Sequence, residues 1–372
     1  MAVQYLGSPV LFPSDVQMKT SQVNEDNLLD FSSLQNNDSA CDIPTEDDKH
    51  QERKPILRYG VNTKSPKSSQ NVGSRKPPKS LSFFNRNLNF HQKSAVMNIL
   101  AGKSRPTPYV IFGPPGTGKT MTVVEAILQV LTQVPHSRII ACTPSNSAAD
   151  LIAQRLFLSG AVKQTDLVRL NGFQRSLDAI PENILPFCRF AEDLQMISRY
   201  RVIVCTCTMA GSLYALGLSA GHVTHVFVDE AGQATEPECL VPIGLLCGGD
   251  GQIVLAGDPK QLGPIVMSPF AKMYGLEHSF LERLMCRLPY KRNEDIYAEY
   301  AGFNPLLVTM LVNNYRSHPA ILELPSKLFY YNELLPHGPE NITHTLIDAG
   351  FLPTAKVPVV FHGVRVSHVI LL

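Results

Sequence analysis

The chain has no tryptophan, little charge (17% Asp, Glu, Lys and Arg among 372 residues) and no long apolar run. No stretch reaches the roughly 20 apolar residues that a membrane-spanning helix needs. The start, Met1–Val10, lacks a charged segment before an apolar core, so it does not read as a secretion signal. The eight cysteines form no C-x-x-C pair and no Cys/His spacing suited to zinc. Reduced, mostly buried thiols in an intracellular protein are the expectation. With 44% hydrophobic residues the chain is neither a disordered polymer nor a disulfide miniprotein. Its length has room for two or three domains.

The net charge of +1 hides an asymmetry. Met1 to Asp48 holds nine acidic residues and one basic, whereas Lys49 to Ser80 holds nine basic and one acidic. Rich in Ser, Asn, Pro and Lys, residues 1–80 bury too little apolar surface to offset ordering entropy, so a disordered tail is expected. It is either a solubilising tail or one whose basic stretch, Lys64 to Lys79, meets RNA or a partner electrostatically.

After Ser80 short apolar runs alternate with helical patterns. Five strand candidates stand out: Pro108–Phe112, Arg138–Cys142, Arg201–Cys205, Val223–Val228 and Gln252–Ala256. Each is continuous rather than alternating in polarity, as strands buried on both faces are. Val123, Ile127, Leu131 and Val134 lie at helical spacing, as do Ala148, Leu151, Ile152 and Leu156. The alternation implies an α/β fold, a parallel sheet flanked by helices.

The first strand runs into Gly113-Pro114-Pro115-Gly116-Thr117-Gly118-Lys119-Thr120, a G-x-x-x-x-G-K-T phosphate loop between strand and helix. Its glycines let backbone N–H groups close around a phosphate. Lys119 would reach the β- and γ-phosphates, and the Thr120 hydroxyl would take Mg²⁺. A later strand ends in Asp229-Glu230. Asp229 suits Mg²⁺ through water, and Glu230 suits a general base for the attacking water. The last candidate strand ends in Gly257-Asp258-Pro259-Lys260-Gln261-Leu262, where Gln261 can bond both a γ-phosphate and that water.

In order, GPPGTGKT, DEAGQ, GDPKQL and Asn314-Tyr-Arg316-Ser-His-Pro319 resemble superfamily 1 helicases of the Upf-like branch. The longer strings PSNSAAD (144–150), HVFVDEAGQATEPECLVPIGLL (225–246), FLERLM (280–285), NYRSHPAILELPSKLFY (314–330) and FHGVR (361–365) are similar to the Armitage/Mov-ten group of RNA helicases that serve small-RNA silencing. The match runs from about Asn85 to Arg365. The branch more often has Gln and Met where this chain has Asn314 and Ser317, but it shares the arginine.

The resemblance implies a RecA-like P-loop NTPase using ATP and Mg²⁺ to remodel ribonucleoprotein in the 5′-to-3′ direction. It implies single-stranded RNA and silencing-complex proteins as partners, and a cytoplasmic place that includes ribonucleoprotein granules. It puts Gln92 on the adenine, although a plain helix-start role also fits that residue. It lays Pro144, Ser145 and Asn146 on RNA backbone, a segment equally suited to capping a helix. Thr206 and Thr208 occupy the analogous loop one strand on, and Arg316 reaches the γ-phosphate as an arginine finger does. The expected division is a tail (1–80), a first RecA-like domain (81–290) and an incomplete second one (291–372). Only 56 residues follow Arg316, and no counterpart of the family's later motifs is seen. A shortened, catalytically weak form that binds ATP and RNA or protein is the alternative.

Overall fold

The computed structural model describes residues 81–246, 251–354 and 357–364. The expected tail lies outside the described residues, as do Cys41, Cys247 and Arg365. Eight strands form one sheet: β1 (Tyr109–Phe112), β2 (Ile139–Thr143), β3 (Leu167–Asn171), β4 (Cys188–Phe190), β5 (Val202–Thr206), β6 (His225–Val228), β7 (Gln252–Gly257) and β8 (Val308–Met310). Their order is β4-β3-β5-β2-β6-β7-β1-β8, and every pairing is parallel.

The five expected strands are all present, within two residues of their anticipated limits. Their continuous apolar runs reflect burial on both faces. One face packs Val110, Phe112, Ile140, Cys142, Ile203, Cys205, Val226 and Val228. The opposite face packs Tyr109, Ile111, Ile139, Ala141, Val202, Val204 and Phe227. Each fully buried aliphatic side chain contributes about 1.5–3 kcal/mol, so the two layers anchor the sheet from both sides.

The second face is covered by α1 (Phe90–Ala101), α2 (Lys119–Gln133) and α3 (Asn146–Leu158), through Ala95, Val96, Ile99, Val123, Ile127, Leu131, Ile152 and Leu156. The expected spacing in α3 is right for Ile152 and Leu156. Leu151, however, is exposed, and Ala149 and Ala153 fill the face instead, because small residues let the helix lie close to the sheet. The first face is covered by α4 (Cys207–Ala215), α5 (Glu236–Ile243) and α6 (Phe280–Met285), and Leu322 of α7 (Pro319–Phe329) joins it.

Three strands of this sheet escaped the sequence reading. In β3, Arg169 and Asn171 interrupt the apolar run, yet both are buried; β4 and β8 are three residues each. The strand β8 bears on the domain division. Val308–Met310 closes the sheet beside β1, and the Tyr109 hydroxyl lies 2.6 Å from Thr309 Oγ1. The boundary expected at residue 290 therefore falls ahead of the first sheet's own edge strand. Among the described residues no helix is long and apolar enough to cross a membrane.

Candidate nucleotide-binding site

Because the sheet is parallel, the loops after β1, β6 and β7 all emerge at its carboxyl edge, the edge where open α/β sheets bind ligands. The phosphate loop turns there on Gly116 and Gly118, whose φ angles of +74° and +82° lie in the left-handed region that side chains disfavour. Space is a second constraint. A Cβ on Gly116 would come within 2.6 Å of the Arg316 Cβ, and one on Gly118 within 2.5 Å of Gln92 Nε2. Gly118 caps α2 without any side-chain bond, so the first-turn N–H groups are left to a ligand.

A cavity of about 590 Å³ opens on this loop. It is lined by Pro114 through Met121 together with Gln92, Arg155, Glu230, Gln261, Tyr315 and Arg316. Phosphate-loop and later-motif residues up to about 200 positions apart thus meet at one place. Across it the Lys119 ammonium donates to Glu230 Oε2 at 3.1 Å, with the lysine 10% and the glutamate 29% exposed. Glu230 is held in the left-handed region (φ +56°), where a non-glycine residue is strained, and its N–H donates to Asp229 Oδ1 at 2.9 Å. Glu230 lines the cavity, whereas Asp229 is buried beside Lys119 and Thr120.

Asp229 is buried, and desolvation raises its carboxyl above the ordinary value, opposed chiefly by the Lys119 charge and also by a hydrogen bond from Thr120. A hydroxyl beside a carboxylate is a hard-oxygen pair. It suits Mg²⁺, which takes few protein ligands and completes its shell with phosphate and water. Among the described residues no group of three or more His, Cys, Asp or Glu could hold a metal by itself. Thr120 and Asp229 fit a divalent ion shared with a nucleotide.

Gln92 is buried at the third position of α1. Its Oε1 accepts from the Asn89 N–H at 3.0 Å, and its Nε2 donates to the Thr117 carbonyl at 3.2 Å. It therefore caps its own helix and braces the phosphate loop while lining the cavity. From the other side Asn314 Nδ2 donates to the Pro115 carbonyl at 2.6 Å, and the Tyr315 N–H to the Gly116 carbonyl at 2.8 Å. The clamp by Asn314 was not foreseen. Nothing in a lone Asn signals a partner some 200 residues away.

Pro144 and Ser145 follow β2 and Asn146 opens α3, whereas Thr206 ends β5 and Thr208 lies in the first turn of α4; the strands are neighbours with Thr143 opposite Thr206. The two strand-to-helix junctions are therefore adjacent on the sheet edge, outside the nucleotide cavity, and the second passes from strand to helix without the expected loop. Ser145 and Thr206 each cap the helix that follows, so the capping role weighed for the first loop is present in both. Ser145, Asn146 and Thr208 are exposed. Beneath this loop lies a network the sequence did not suggest. Arg169, 0% exposed, donates to Asp150 Oδ1 at 2.8 Å and to Asn146 Oδ1 at 2.9 Å, and Arg175 bonds the same aspartate.

A parallel sheet flanked on both faces by helices, with a glycine loop, a lysine and paired carboxylates at its carboxyl edge, defines a P-loop nucleotide-binding protein of RecA-like fold. Comparison with known proteins narrows the class. A family model for an AAA domain matches residues 87–194 and 174–269. RNA helicase Mov10l1 of Homo sapiens is 45% identical over 98% of this chain and 31% of its own length. RNA helicase Mov10l1 of Mus musculus is 53% identical over 76% of this chain and 24% of its own length. The probable RNA helicase armi of Drosophila melanogaster is 44% identical over 69% of this chain and 24% of its own. The chain belongs to the Armitage/Mov-ten group of Upf-like helicases. It spans between about a quarter and a third of the curated relatives just named. Among solved structures, the arterivirus nonstructural protein 10 helicase bound to DNA overlaps 66% of this chain and 44% of its own. Its identity is 19% and its TM-score 0.37, too low to weigh.

Proposed function

We propose that the chain is the ATP-hydrolysing part of an RNA helicase or ribonucleoprotein remodeller, acting on single-stranded RNA in small-RNA gene silencing. The observation that supports this most is the meeting of Lys119 and Glu230 at 3.1 Å in a cavity also lined by Gln261 and Arg316. A phosphate-binding cation, a general base, a polar sensor and an arginine share one space.

ATP supplies the γ-phosphoryl group, with Mg²⁺ offsetting its charge. The chain's own part is then as follows. Lys119 exchanges its bond with Glu230 for a phosphate oxygen, which frees the carboxylate to take a proton from an attacking water. Thr120 and Asp229 would hold the metal, and Gln92, the residue proposed to meet the adenine, braces the loop through the Thr117 carbonyl. Arg316 offsets charge developing on the leaving oxygens, the kind of stabilisation that is largest in a water-poor cleft.

Pro144, Ser145, Asn146, Thr206 and Thr208 form the RNA-contacting edge, with small hydroxyl and amide groups meeting sugar and phosphate. Silencing-complex proteins as partners, 5′-to-3′ movement and a cytoplasmic, granule-associated location complete the proposal. So does a second RecA-like lobe of which residues after 310 form the beginning. The names of the relatives support the RNA helicase part of this reading.

The test is ATP turnover by the 372-residue chain with and without single-stranded RNA. RNA-stimulated turnover abolished by Lys119→Ala is expected. Tight nucleotide binding with no turnover in either condition would identify the binding form instead.

A further inference from the structure

The glutamine of one motif is tied to the segment that carries the arginine of another through a buried carboxylate and a buried tyrosine. Asp258, at the end of β7, is 3% exposed and Tyr330, just past α7, is 4% exposed. Oδ2 of Asp258 accepts two hydrogen bonds, one from Gln261 Nε2 at 2.6 Å and one from the Tyr330 hydroxyl at 2.9 Å. Oδ1 accepts from the Lys260 N–H at 2.9 Å. A carboxylate only accepts, so the group that Gln261 turns toward Asp258 is its amide. Its carbonyl Oε1 is left for the cavity that Gln261 lines.

Tyr330 ends the segment that carries Arg316. That segment is clamped at its start to the phosphate loop by Asn314 and Tyr315. At its end the Tyr330 ring lies 6.3 Å from that of Phe112, the last residue of β1 before the phosphate loop. Any displacement of α7 with Arg316 therefore pulls on the carboxylate that orients Gln261. Burial raises both the Asp258 carboxyl and the Tyr330 phenol, so the phenol remains a donor at neutral pH.

We propose that Tyr330 is a positioning residue: through Asp258 it sets the orientation of Gln261, and so couples the place of the Arg316 segment to the water-facing carbonyl of the nucleotide site. The inference rests on the proposed ATPase reading. It adds to that reading a residue that touches neither nucleotide nor RNA.

Tyr330→Phe keeps the ring and removes the hydroxyl. In RNA-stimulated ATP turnover by the full chain, kcat is expected to fall about tenfold with KM for ATP changed less than about twofold, the scale of one lost hydrogen bond. Combined with Gln261→Ala, Tyr330→Phe should cost nothing further, since the two act through one group. A wild-type kcat, or a double variant showing the full product of the two losses, would overturn the inference.

A second readout needs no turnover. In the nucleotide-free chain the Gln261 side-chain amide resonance, assigned by its loss in Gln261→Ala, should move in Tyr330→Phe while that of Gln129 stays. Asp258→Asn should move it as well, which covers a Tyr330→Phe chain that does not fold. If the wild-type chain turns over no ATP, the functional reading fails and the amide resonance alone decides; an unmoved resonance sinks the coupling.

Discussion

Two stretches of the sheet's carboxyl edge carry charged and polar groups in contrasting ways. At the inner stretch, after β1, β6 and β7, Lys119 and Glu230 have each other for partner across an open cavity, on a strained backbone. At the outer stretch, around the ends of β2, β5 and β3, the buried Arg169 and Asp150 are satisfied by each other and by Arg175 and Asn146, and small hydroxyl and amide groups are what faces outward. A buried charge whose bonds close among its neighbours holds a fold together. A charge set against a cavity with a partner it can exchange is arranged for a ligand.

The hardest way to break this contrast is to open the outer network. Asp150→Ala leaves the fully buried Arg169 uncompensated, and urea unfolding should show a loss of about 3–5 kcal/mol. A loss under about 1 kcal/mol would mean that the network is not structural. At the inner edge the order reverses. Lys119→Ala should leave the melting temperature close to wild type yet lower turnover about 10²–10³-fold, the usual effect of removing one group that stabilises developing charge. A collapse of the fold in that variant would erase the distinction between the two stretches.

Smaller effects sharpen it. Ser145 caps α3 through the Ala148 N–H at 3.3 Å, so Ser145→Ala should cost about 1 kcal/mol in chemical denaturation. A cost near zero would leave RNA contact as the main use of that hydroxyl. The least effect concerns pH. Burial raises the Asp229 carboxyl above its ordinary value of 3.8, so the folded chain holds that proton more tightly than the unfolded chain does. Its contribution to stability is present below that value and is lost as pH rises through the folded value. Asp229→Asn should therefore gain in melting temperature over wild type at neutral pH while losing its response to added Mg²⁺. Equal melting profiles from pH 4 to pH 8 would show that the carboxylate is not strained by burial.

How much was legible follows from how local each signal is. The phosphate loop could be read because its turn depends on Gly116 and Gly118 and its chemistry on the next two residues. The five central strands could be read because burial on both faces writes itself as an unbroken apolar run. The strand β3 could not, since Arg169 looks solvent-facing until Asp150 and Asn146 are brought to it from another element. Gln92 combined both cases. Its capping role is set by Asn89 three residues away, whereas its brace on the Thr117 carbonyl depends on α1 packing beside α2.

By itself the sequence determined the nucleotide loop, the acidic pair at 229–230, the central parallel strands and the helicase group to which they belong. These rest on backbone conformations and apolar runs specified within a few residues. Only the tertiary structure decided that residues 308–310 complete the first sheet and that Asn314 grips the loop from some 200 positions away. It alone brought Gln261 and Tyr330 to one oxygen of Asp258. Pairings of that kind depend on which chain ends the fold brings within 3 Å, and no local pattern encodes that distance.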